Sequence, residues 1–106
     1  MIKKNNKYIF QTTRGDDFTL NLFFDKKIMD GTCTLTSTIR RNEDSSEKIS
    51  TSTSVYGAGK YSLRFTASQM RDIFGTYDID VELSNSSGAR KTIIIGSLIV
   101  NKDVSY

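Results

Sequence analysis

The stretch Phe18-Thr19-Leu20-Asn21-Leu22-Phe23-Phe24 places an apolar side chain at positions 18, 20, 22 and 24, with Thr19 and Asn21 between them. Successive side chains of a strand point to opposite faces, so a period of two predicts a strand with one face buried. Phe23 falls out of phase, on the face left to solvent. Upstream, Lys7 to Thr13 is rich in aromatic and β-branched residues, and Arg14, Gly15 and Asp16 supply a turn between the two segments. Two strands joined by a tight turn are expected.

The same period recurs downstream. Cys33, Leu35, Ser37 and Ile39 alternate with Thr34, Thr36, Thr38 and Arg40, which predicts an outer strand with one threonine-rich face in water. Lys48 to Tyr56 is almost all Ser and Thr, but its turn signal at Gly57 and Gly59 leads into Tyr61, Leu63 and Phe65, so a hairpin is expected there. Ala67, Met70, Ile73 and Phe74 break the period, being spaced three and four apart. Thr66 with Gln69 forms a capping-box signature and Gly75 a stop, which predicts one short helix near residues 67–74. Tyr77, Ile79, Val81 and Leu83 then alternate with Asp78, Asp80 and Glu82. A turn over Asn85 to Gly88 joins this strand to a last one, Lys91 to Val100, as a hairpin.

About seven short strands and one helix predict an all-β fold, an antiparallel two-sheet β-sandwich of immunoglobulin-like kind. The 106 residues suit a single domain, 1–106, whose lead 1–6 is expected to be flexible. Hydrophobic residues make up 37% and charged residues 25%, a soluble balance that needs no cross-links.

The composition also excludes chemistries. Cys33 is the only cysteine and there is no histidine, so an internal disulfide and the usual zinc ligand pairs are ruled out. No Ser or Cys has a histidine to activate it, no Gly-x-Ser-x-Gly elbow occurs, and Gly57, Gly59 and Lys60 lack phosphate-loop spacing. No cofactor, no metal and no enzymatic activity are expected. The net charge of +3 comes from fifteen basic residues interleaved with twelve acidic ones, without the concentrated patch of a nucleic-acid binder. Met1 to Tyr8 has no apolar stretch for a signal peptide or membrane span, which predicts a protein made and kept in a cytoplasm.

The run Arg14, Gly15, Asp16, Asp17, Phe18 leads into an alternating strand. Gly59, Lys60, Tyr61 precede Leu63 and Phe65, and Gly75, Thr76, Tyr77, Asp78, Ile79, Asp80, Val81 precede Ser87 and Gly88. Ile94, Ile95, Gly96, Ser97, Leu98, Ile99, Val100 and then Lys102, Asp103, Val104, Ser105 close the chain. From Arg14 to Ser105 this order resembles the immunoglobulin-like domain of bacteriophage tail and baseplate proteins, similar to the N-terminal domain of upper baseplate proteins. The resemblance implies a virion structural protein, made in the host bacterial cytoplasm. It would be a tail, baseplate, neck or fibre-attachment adaptor that binds other phage structural proteins and forms a homo-oligomer. The alternative is a carbohydrate-binding or host-recognition module using exposed tyrosines.

Three candidate clusters have simpler readings. Asp78, Asp80 and Glu82 project in a row about 7 Å apart, as a hard cation would require, but Arg90 and Lys91 across the turn balance them as a solvated face. Asp16 and Asp17 are adjacent, point to opposite faces of an extended chain and suit a turn better than an acid pair. Cys33 is in phase with Leu35 and Ile39 and reads as core. The surface expected to work is the outer face of the last strand, where Ile93, Ile95 and Ile99 stand opposite Ile94, Gly96, Leu98 and Val100. With Phe23, these three isoleucines are the expected protein interface, because a strand apolar on both faces needs a cover.

Overall fold

A computed structural model of the chain describes residues 2–4, 7–42 and 47–102. Its elements in order are β1 (Ile2–Lys4), β2 (Lys7–Thr13), β3 (Phe18–Phe24), β4 (Cys33–Arg40), β5 (Lys48–Val55) and β6 (Gly59–Phe65). The single helical turn α1 (Ala67–Met70) follows, then β7 (Gly75–Asn85) and β8 (Arg90–Asn101). The fold is all-β and has two sheets of unequal width. Among the described residues one is six-stranded, in the order β1-β2-β8-β7-β4-β5, and the other pairs β3 with β6. The two long strands β7 and β8 form the spine of a molecule 47 Å long and about half as wide.

Several expectations change. Within the lead 1–6, read as flexible, Ile2–Lys4 form β1 against β2; residues 1, 5 and 6 lie outside the described set. The sandwich is not purely antiparallel, because β2 runs parallel to β8, with Tyr8 opposite Gly96 and Phe10 opposite Leu98. That pairing requires glycine at 96, since a Cβ there would press on the Tyr8 carbonyl oxygen and stand 3.0 Å from its carbon. β4 is not an outer strand but lies between β5 and β7.

β5 and β6 do not form a hairpin; they belong to different sheets. The Tyr61 hydroxyl accepts from the Tyr56 N–H (3.1 Å) and has its one proton shared between the carbonyls of Tyr56 (2.9 Å) and Gly57 (3.2 Å). Those bonds hold the crossover closed, with Gly57 at φ 72° and Gly59 at φ 147°. The turn after β2 likewise carries the chain from the wide sheet into β3 of the narrow one. The helix has its capping box, the Gln69 N–H donating to Thr66 Oγ1 and the Thr66 N–H to Gln69 Oε1, but it ends at Arg71. Gly75 is not its stop but the first residue of β7, at φ 105°.

The alternating strands do bury the faces their period predicts. Phe18, Leu20 and Phe24 meet Leu63 and Phe65 beneath the inner face of β4, β7 and β8, where Leu35, Ile39, Ile79, Val81, Leu83, Leu98 and Val100 are almost fully enclosed. Ring contacts from Tyr8 to Phe10, Phe10 to Phe18 and Phe18 to Phe65 run from one sheet to the other with centroids 6.1 to 6.3 Å apart, a spacing that favours aromatic pairs. Cys33 is buried in this core as expected. Ser37 is also buried, and its hydroxyl is satisfied by donating to the Asp80 carbonyl at 3.0 Å.

Candidate interaction surface

Two strands cannot roof six. β6 lies beside β5, so the shortfall falls on the other side, where β3 has β6 on one flank and, among the described residues, no strand on the other. Along that free flank runs an open groove of about 490 Å³, walled by β3 and by Tyr8, Phe10 and Gln11 of β2, with Ile94 of β8. Every residue from Phe18 to Phe23 lines it, whichever face its side chain takes. At the groove's rim Phe23 stands opposite Lys60 on the outer face of β3 and is 67% exposed.

The last strand is less simply two-faced than its sequence. In the β7–β8 ladder Val81 pairs with Ile94 and Glu82 with Thr92, so Ile93 is an extra residue in a β-bulge. The bulge interrupts the alternation, and Ile93 packs with Ile94 against the core instead of joining Ile95 and Ile99 on the outer face. Ile95 is 53% exposed and Ile99 half-buried. Ile9, opposite Ser97 on β2, adds a third aliphatic side chain between them on that outer face. The structure thus brings Ile95 and Ile99 together, turns Ile93 inward, and places Phe23 on the other sheet.

The acidic row lies on the same outer face as Ile95. Glu82 pairs with Arg90 across 3.6 Å, Arg40 stands opposite Asp78, and partial burial pushes the Asp80 carboxyl above its ordinary pKa. Among the described residues no group of three or more acids or cysteines could hold a metal ion. Asp16 and Asp17 do not converge. The Asp16 N–H closes the turn onto the Thr13 carbonyl at 3.1 Å, while Asp17 accepts from the Arg64 guanidinium and from the Ala67 N–H at 2.7 Å. The Arg64 hydrogen bond, helped by Ala67, holds the Asp17 carboxyl below its usual pKa. Its role is to tie β6 and the start of α1 to the turn before β3.

The chain matches no protein-family model, no characterised protein and no solved structure. The surface therefore has to be read from its own residues. Of the residues that shape the groove, Tyr8 was expected among the exposed tyrosines of the recognition alternative, whereas Phe10, Leu22 and Ile94 were not singled out by the sequence. Each is in phase with a buried face; Phe10 is buried there, and the narrowness of the second sheet leaves Tyr8, Leu22 and Ile94 partly exposed.

Proposed function

We propose that the chain is a non-enzymatic structural protein of a bacteriophage virion, an adaptor that joins other tail or baseplate proteins through protein–protein contacts, at a neck or fibre-attachment site among others. One observation carries the binding half of this reading. Each sheet holds a large apolar side chain in water on its outer face, Phe23 of β3 at 67% exposure and Ile95 of β8 at 53%, and the narrow sheet leaves a groove open beside β3. Fully burying such side chains is worth about 1.5 to 3 kcal/mol each before the costs of association, which a permanent partner recovers.

The phage setting rests on the resemblance of Arg14 to Ser105. The immunoglobulin-like part of that resemblance has one supporting detail: Tyr77, near the start of β7, accepts at its hydroxyl from the Phe74 N–H three residues upstream, at 3.1 Å, much as a tyrosine corner does. Arg41 lies over the same ring, 4.4 Å from its centroid, and locks that corner.

Light scattering on the purified chain, alone and mixed with each structural protein encoded beside it, tests the reading. The expected result is a complex of defined mass, or a closed ring of the chain itself, that Phe23→Ser with Ile95→Ser dissolves without shifting the unfolding midpoint. A chain that stays strictly monomeric at high concentration and binds none of those proteins overturns it.

A further inference from the structure

The groove beside β3 has a shape that points to its occupant. A pocket for a small ligand gathers side chains from one inner face, whereas this one is lined by six consecutive residues, Phe18 to Phe23, from both faces of a strand. That happens only where the cavity follows the backbone of a free edge. Each strand edge presents a row of unpaired N–H and C=O groups, and proteins usually blunt it with charge, brevity or a bulge. Three of the four edge strands follow the rule. β1 is three residues long with two lysines, β5 is a Ser/Thr strand starting at Lys48, and β6 carries Lys60 and Arg64. β3, Phe-Thr-Leu-Asn-Leu-Phe-Phe, has no charged residue and no bulge, and pairs in unbroken register with β6.

The opposite wall is also unfinished. β1 covers only Lys7 to Ile9 of β2, so Phe10 and Gln11, which line the groove, lie in the half of β2 that has β8 on one flank alone.

We infer that the β3 edge is a strand-addition site: an extended segment of another polypeptide pairs with the β3 backbone, makes the narrow sheet three-stranded and lays alternate apolar side chains over Phe10, Leu22 and Ile94. This rests on the binding role proposed above and specifies where and how a partner is held. Strand addition draws affinity from main-chain hydrogen bonds and specificity from pockets for every second side chain. The charge of the groove selects the segment. None of its ten lining residues is charged, which excludes acidic or basic side chains at the inward positions. At the Phe24 end of the edge, Lys26, two residues beyond β3, makes no ion pair among the described residues, so a segment carrying a carboxylate at that end complements it.

The test uses the intact chain and a heptapeptide alternating valine with threonine, with glutamate at each end. Its companion is the same peptide N-methylated at alternate backbone nitrogens, which keeps the side chains and removes the donors. In calorimetric titration the plain peptide binds, the N-methylated one is at least about tenfold weaker, and exchanging both glutamates for lysine also weakens binding. Equal affinity of the plain and N-methylated peptides overturns the inference, showing an apolar cleft with no strand pairing. A dimer whose interface is β3 itself, seen by light scattering and broken by Asn21→Pro, overturns it in favour of a second copy. If a structural protein binds the chain while a saturating excess of the peptide fails to compete, the strand-addition site is refuted and the adaptor role stands.

Discussion

Gly96 carries no Cβ, and the Tyr8 backbone leaves no room for one. Gly96→Ala is therefore expected to cost about 1 to 3 kcal/mol, by pushing β2 away from β8, and urea denaturation reads this as a lower midpoint. Two carboxyls act in opposite senses on the pH dependence. The folded-state pKa of Asp17 lies below its unfolded value of about 3.9, so its contribution is complete above that value and lost as pH falls through the folded one. Asp17→Asn should flatten the acid limb of the stability curve below about pH 4. Burial raises Asp80 instead, so the folded chain holds that proton more tightly than the unfolded chain, and stability is lost as pH rises from the unfolded value through the folded one. Asp80→Asn is expected to be at least as stable as the parent at pH 7, and denaturation at pH 4 and pH 7 separates the two effects.

Elements were legible where the period of two is clean. β3, β4, β6 and β7 bury most of the residues that their alternation selects, although Leu22 and Tyr61 stay partly exposed and Thr38, expected in water, is buried with its hydroxyl 3.3 Å from that of Ser50; Thr66 caps α1 with the Gln69 partner that the spacing requires. Thr66→Ala should cost about 1 kcal/mol, because the Gln69 N–H loses its acceptor. The last strand was not legible, since a bulge adds one residue to a pattern that otherwise reads as a two-faced strand. Ile93 and Ile95 look equivalent in sequence and are not. Ile93→Lys is expected to destabilise the fold by about 1 kcal/mol or more, whereas Ile95→Lys stays within about 0.5 kcal/mol, as thermal unfolding of the two variants would show. Similar costs for both would mean that the bulge does not divide the faces.

At the scale of the molecule, the strands foretold two sheets but not how they are shared out. Strand pairing depends on which turns cross between the layers. The Arg14–Asp17 turn and the Tyr61-locked loop have the local signature of hairpins, yet both carry the chain from one sheet to the other. The result is six strands under two, and the open flank of β3 follows from that count. Phe23 was legible as an exposed aromatic; the groove behind it was not, because its walls are ordinary core residues of strands far apart in sequence. The most direct test of this architecture is residue-resolved amide hydrogen exchange along Phe18–Phe24 in the free monomer and after saturation with the alternating valine–threonine peptide. Alternate amides should exchange fast in the free chain, those directed at β6 being slow, and the fast set should become protected with the peptide bound. Amides that are uniformly slow in the free monomer would show the β3 edge already paired and would contradict the open-sided sandwich.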